Sequence, residues 1–92
     1  MPTSPVRHNA AQRRFEMDTP QGLAVADYRI EGAVMTIYHT DMPVPLRGRG
    51  YGYRLVRGAL DEVRRLNRKV EPQCWFVRQV MQRSPQFQDL LR

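Results

Sequence analysis

"HTDMPVPLRGRGYGYRLVRGALDEVRR", residues 39–65, sets Gly48, Gly50 and Gly52 at every second position among arginines, directly ahead of an amphipathic repeat. Between residues 51 and 66, Leu55, Val56, Ala59, Leu60, Val63 and Leu66 recur at spacings of three and four. That period predicts one apolar helical face, with Arg54, Arg57, Asp61, Arg64 and Arg65 on the other. Glycines at a helix start keep side chains away from backbone N–H groups, and exposed N–H groups at that place hold phosphate.

Upstream, the period is two rather than three or four. Phe15 and Met17 point one way while Arg14, Glu16 and Asp18 point the other, from a strand-like segment that begins near Asn9. "TPQG", residues 19–22, is a turn signal. In "LAVADYRI", residues 23–30, Leu23, Val25, Asp27 and Arg29 share one register and Ala24, Ala26, Tyr28 and Ile30 the other. "EG", residues 31–32, supplies a two-residue hairpin turn, and "AVMTIYHTD" continues as a third strand. Pro43 and Pro45 stop it, since neither offers an N–H to a ladder.

Downstream, a short strand centred on Val70 ends at Pro72, and residues 75–84 predict a helix with Phe76, Val77, Val80 and Met81 on one side, closed by Pro85. The order β-β-β-α-β-α predicts an α+β fold: a three-stranded antiparallel meander, a central helix, a parallel-type return strand and a C-terminal helix. Residues 1–8 read as a flexible polar tail, with His8 solvated, and residues 9–92 as a single domain. An edge strand over residues 12–18 is then free to pair between chains.

The 92-residue length fits one small core, burying roughly 60% of the unfolded chain's surface. With 41% apolar and 26% charged residues the composition is that of a soluble globule. The first residues hold no signal-peptide-like apolar run, so a cytoplasmic protein without a membrane partner is expected. One cysteine, Cys74, forms no internal disulfide, and no Cys/His spacing suited to zinc occurs. Residues 1–41 carry a net charge of −1 and residues 42–92 one of +7, which places anion binding in the second half. Arginine makes up nearly all of the basic excess, and polynucleotide binding would require Trp75, Phe76 and Phe87 on a basic surface, whereas their spacing reads as core.

The glycine segment fails two phosphate-loop tests. A Walker loop needs Lys and Ser/Thr after its last glycine, where this chain has Tyr53 and Arg54; a G-x-G-x-x-G fingerprint needs glycine where Tyr53 stands. The spacing that fits is R-x-x-G-x-G, filled by Arg47, Gly50 and Gly52. It resembles the pyrophosphate loop of the GNAT superfamily of N-acetyltransferases. "HTDMP", "LRGRGYG", "KVEPQCWFV" and "QRSPQFQDLL" together resemble the short, single-domain GNAT-like acetyltransferases over roughly residues 9–91.

That resemblance implies an acetyl-CoA-dependent N-acetyltransferase acting on an amine, in a protein or a small molecule, or else a non-catalytic acyl-CoA-binding module. It implies that coenzyme A is bound by Thr40, Met42, Arg47, Gly48, Arg49, Gly50, Tyr51 and Gly52, with pantetheine in a gap between the strand ending at residues 39–42 and the strand at residues 70–74. Cys74 has three readings: an acetyl-accepting nucleophile, a polar neighbour of the CoA sulfur, or a small buried residue. His39 stands as a general base with Asp41 to orient it, or as a hydrogen-bonded strand residue. The chain departs from the family at Val80, where a tyrosine is usual, at Ser84-Pro85-Gln86, where H-P-E is frequent, and at Trp75, where a smaller residue is common. Larger members insert two helices between their first strands, and the short "TPQG" and "EG" turns leave no room for them, so an open acceptor site is expected.

Overall fold

Alternation along the first half of the chain builds the sheet that everything else packs against. The computed structural model describes residues 6–92. Its strands are β1 (Val6–Asn9), β2 (Arg14–Thr19), β3 (Gly22–Glu31), β4 (Val34–Asp41) and β5 (Lys69–Pro72), in spatial order 1-2-3-4-5. The first four form an antiparallel meander, and β5 joins β4 in parallel after the helix α1 (Tyr51–Arg65). A second helix, α2 (Trp75–Gln82), and a 3-10 turn, Pro85–Leu90, complete the chain. Leu91 bridges to Val70, so the C-terminus lies along β5.

Register decides which face is the core. Phe15 lies opposite Ala26 and Ala26 opposite Thr40, while Tyr28 lies opposite Ile37 and Ile37 opposite Pro72. Phe15, Ala24, Ala26, Met35, Ile37 and Val70 on this face are fully buried, and they share one cluster with Leu55, Val56, Ala59, Leu60 and Val63 of α1 and Val77, Val80 and Met81 of α2. Both helices therefore cover the same side of the sheet. A fully buried valine or leucine stabilises by about 1.5–3 kcal/mol, which is why the apolar stripe of α1 fixes where the helix sits.

The other side carries charge and no helix. Glu16 is nevertheless buried there, beneath its own partners: Arg14 Nε at 2.6 Å, Asn9 Nδ2 at 2.9 Å and Arg7 Nε at 3.1 Å. Those donors hold its carboxyl below the usual range, Asn9 first and then Arg14.

The meander has four strands, one more than the sequence pattern indicates. Residues 6–8 of the expected flexible tail belong to β1, and residues 1–5 lie outside the described residues. His8 is not solvated: its ring stacks on Phe15 at 4.8 Å, and Nε2 lies 2.5 Å from the Tyr28 hydroxyl. The edge expected at residues 12–18 is consequently covered by β1, and Ala10–Gln12 is a 3-10 turn capped by Asn9. The β3–β4 turn also sits one residue later than "EG", because Glu31 pairs with Val34 and Gly32, at φ +66°, makes the turn with Ala33.

Burial holds the His8 imidazole below its ordinary value; Glu62 opposes this and Arg65 adds to it. The neutral ring is thus favoured in the fold, and its stabilisation is present above the ordinary value near 6.5 and lost as pH falls through the lowered one. Urea unfolding should show stability falling between pH 7 and pH 5, ahead of the carboxylate range, and His8→Gln should flatten that part of the profile.

Candidate active site

Two local features part β4 from β5. Tyr28 pairs with Ile37 and Asp27 with His39, so Tyr38 is an extra residue, a bulge in β4. On the other side Pro72 has no N–H to give, and the amides of Gln73 and Cys74 both turn back to the Ile37 carbonyl at 3.1 and 3.0 Å. Beyond this vertex the strands diverge around a cleft of about 860 Å³. It runs from Tyr38, Gln73, Cys74 and Trp75 at the vertex to Arg47, Gly48, Gly50 and Gly52 at its mouth.

The glycine segment divides into two kinds. Gly48 (φ +79°) and Gly50 (φ +84°) take left-handed backbone, and a Cβ on either would meet nothing within 4 Å. Gly50 is also the N-cap of α1 and offers no side chain to its first turn. Among the described residues, nothing accepts from the N–H groups of Gly48, Gly50, Tyr51 and Gly52. A Ser or Asp cap would satisfy one of these donors and stabilise the helix by about 0.5–2 kcal/mol; this helix leaves them all open, in the positive half of its dipole.

Gly52, whose amide is one of these open donors, also has a packing purpose. A Cβ there would lie 3.0 Å from Cζ and 3.1 Å from Cε2 of Phe76, so its absence lets α1 and α2 approach. Gly52→Ala should push the Phe76 ring outward and destabilise by about 1–2 kcal/mol. Thermal unfolding would show this as a midpoint roughly 4–16 °C lower, and Phe76→Leu in the same chain should recover part of it.

Among the residues named from sequence, Thr40, Met42, Arg47, Gly48, Gly50, Gly52, His39, Asp41 and Cys74 all line the cleft, whereas Arg49 and Tyr51 do not. Tyr51 packs half-buried against the core under the Arg54 guanidinium, 4.7 Å from its ring centre. Arg47 Nε bonds the Met42 carbonyl at 3.3 Å, fastening the loop to the end of β4.

The bulge sorts the β4 side chains. Thr40 lies opposite Ala26 on the helix-covered face, and its Oγ1 is 3.6 Å from Cys74 Sγ. His39 and Asp41 share the opposite, open face, across from Asp27 and Val25. Cys74 is the N-cap of α2 and half-buried, so the strand-to-helix position expected for it is the one it holds.

The departures read from sequence also have places. Val80 is a core residue, 4% exposed, without a hydroxyl to offer. Two tyrosines line the cleft instead: Tyr53, and Tyr38, which sequence reasoning passed over. The signal for Tyr38 was available, since the inward-facing residues switch from odd positions, Met35 and Ile37, to even ones, Thr40 and Met42. Ser84 is buried ahead of the 3-10 turn with no partner for its Oγ among the described residues, and it is not on the cleft lining. Trp75 stands 67% exposed at the vertex, edge-on to Phe76, while Phe87 is buried in the core.

No helix among the described residues is long and apolar enough to cross a membrane.

Comparison with known proteins agrees with this geometry. A GCN5-like protein of Staphylococcus aureus, solved in solution by NMR, superposes with a TM-score of 0.69 at 22% identity, over 100% of this chain and 91% of that one. The NATD1 proteins of Mus musculus and Homo sapiens are 30% identical over 83 residues, covering 87% of this chain and 76% and 74% of theirs. The family described as GCN5-related N-acetyl-transferase matches residues 14–90. The chain belongs to the GCN5-related N-acetyltransferase family.

Proposed function

We propose that the protein transfers the acetyl group of acetyl-CoA to an amine. The observation that carries this reading is the set of open amides of Gly48, Gly50, Tyr51 and Gly52 at the mouth of the cleft between β4 and β5. A pyrophosphate fits that cradle: Gly48 and Gly50 leave the space free, and the amides are donors without acceptors. Charge-assisted bonds of this kind are worth about 1.5–3 kcal/mol each, and Arg47 adds cationic charge beside them.

Acetyl-CoA, when bound, supplies the acetyl group as a thioester. The chain's own contribution is position. The diverging strand edges beyond Ile37 and Pro72 offer peptide groups to the pantetheine amides, and the bulge at Tyr38 leaves one residue of β4 outside the ladder. Positioning alone supplies roughly 7–11 kcal/mol in favourable cases, so the loss of a hydroxyl at Val80 does not remove the main source of rate. Tyr53 and Tyr38 line the cleft and are the candidates to protonate the departing sulfur. Cys74 and Thr40, paired at 3.6 Å, form a small polar spot on its wall.

The second reading, an acyl-CoA-binding module without turnover, is favoured by the buried Val80. One experiment separates them. Calorimetry should give one acetyl-CoA site per chain, and mass spectrometry should detect acetylated amine together with free CoA. Binding without either product selects the second reading; no binding removes both.

A further inference from the structure

The vertex of the cleft, where β4 and β5 part, is flanked by two guanidinium groups that hold no carboxylate. Arg29 lies over the Tyr38 ring, 5.1 Å from its centre, and its Nη2 reaches Gln73 Oε1 at 3.4 Å. Arg78 comes from α2, and its Nη2 approaches the Pro72 and Gln73 carbonyls at 3.3 and 3.5 Å. Both arginines thus reach Gln73, Arg78 from the cleft lining and Arg29 from β3 beside it, and both contacts are long. Both side chains are exposed.

Five of the chain's arginines pair with carboxylates among the described residues, and Arg29 and Arg78 are not among them. Arg7, Arg14, Arg64, Arg65 and Arg92 each have an acidic partner, at Glu16, Asp18, Asp89, Glu62 or Glu71. On the same face of the sheet Glu31 accepts from Thr36 Oγ1 at 3.0 Å and Glu71 lies 3.8 Å from Arg92 Nε, while Asp27, opposite His39 and two residues from Arg29, forms no ion pair with either arginine among the described residues. Among the described residues, Asp41 is the sole carboxylate on the cleft lining. It lies four residues along β4 from Ile37, roughly 13 Å at the rise of a strand.

We infer that the acceptor is an amine that also carries an anionic group, a carboxylate or a phosphate, held between Arg29 and Arg78. This rests on the acetyltransferase reading above. A cationic polyamine or lysine-rich segment would meet two like charges at the vertex, at a cost; an anionic group meets two donors that other acceptors only weakly occupy. The same charges act on the amine itself. Guanidinium groups close to an ammonium favour its neutral form, which is the nucleophile. In the transfer, the nitrogen lone pair forms the bond to the acetyl carbon and the C–S bond breaks with its electron pair on sulfur. The proton lost from nitrogen ends on that thiolate. Arg29 and Arg78 are in this account specificity-determining residues, and they lie at the opposite end of the cleft from the glycine cradle.

The test uses matched amines with acetyl-CoA. Glutamate is set against glutamine, 2-aminoethyl phosphate against ethanolamine, and spermidine serves as the cationic probe. Turnover is read by mass spectrometry. At equilibrium, N-acetylglutamate and N-acetylglutamine are titrated into the CoA-saturated protein and followed by fluorescence of Trp75, the single tryptophan. The anionic probes should be favoured at least tenfold in kcat/KM, and N-acetylglutamate should bind at least tenfold tighter than N-acetylglutamine. The carboxylate and phosphate pairs report separately which anion is taken. Arg29→Gln and Arg78→Gln should each reduce the preference below threefold while acetyl-CoA affinity stays within twofold. Preference for spermidine, equal use of neutral and anionic amines, or no fluorescence response to N-acetylglutamate with CoA bound overturns the inference. Failure to bind acetyl-CoA instead removes the acetyltransferase reading beneath it.

Discussion

Replacing Gly50 by glutamate should abolish acetyl-CoA binding while leaving the fold intact. The position is left-handed, at φ +84°, and the direction of the missing Cβ is empty for 4 Å, so the new side chain projects into the space the cradle leaves open. Its carboxylate then covers amides that would otherwise face the pyrophosphate and opposes the phosphate charge. Loss of two charge-assisted bonds, at about 1.5–3 kcal/mol each, weakens binding by roughly 10²–10⁴-fold. The left-handed conformation adds a stability cost of about 1–2 kcal/mol, which circular dichroism and thermal unfolding measure independently. Gly50→Ala separates the two effects: it should carry most of that stability cost and little of the binding loss.

Phe15→Ala is the second large effect, and it falls on the fold rather than the ligand. Phe15 is fully buried near the start of β2, with the His8 ring stacked at 4.8 Å and Tyr28 at 5.3 Å. Truncation removes its transfer energy and leaves a cavity that β-sheet neighbours on both sides prevent from collapsing, a combination worth about 3–5 kcal/mol. That is a large part of the roughly 5–15 kcal/mol available to a domain. Urea titration should show the midpoint falling with the slope unchanged. The same truncation loosens His8, so β1 amides should lose hydrogen-exchange protection before those of β4.

How far the sequence carries the structure differs from element to element, for physical reasons. The apolar faces of α1 and of β2 and β3 are periodic, and burial follows that period except at Glu16, buried beneath its donors, and Ile30, exposed at the end of β3. The return strand at Val70 and its stop at Pro72 are equally legible, because proline ends a ladder wherever it falls. The first strand is not. Arg7, His8 and Asn9 carry no apolar alternation; β1 forms because β2 offers an edge, Glu16 needs donors, and His8 finds Phe15 and Tyr28 across the chain. Such a strand exists only through tertiary partners.

The site divides in the same way. The Arg47–Gly48–Gly50 loop is written in a local motif, and the place of Cys74 follows from a strand meeting a helix. That Thr40 takes the helix-covered face while His39 and Asp41 take the open one depends on a single extra residue at Tyr38, which shifts the phase of β4. The packing purpose of Gly52 was not legible, because its partner, Phe76, is 24 positions away. The meeting of Arg29 and Arg78 at Gln73 likewise joins three elements that no local pattern connects.

Amide-resolved NMR of the ¹⁵N-labelled protein, titrated with acetyl-CoA, tests the central assignment most directly. The account predicts that the largest shifts fall on the amides of Gly48, Gly50, Tyr51 and Gly52, followed by the β4 and β5 residues lining the cleft, with β1 and the outer edge of β2 unmoved. Saturating shifts confined to another surface, or none at millimolar acetyl-CoA, would contradict it.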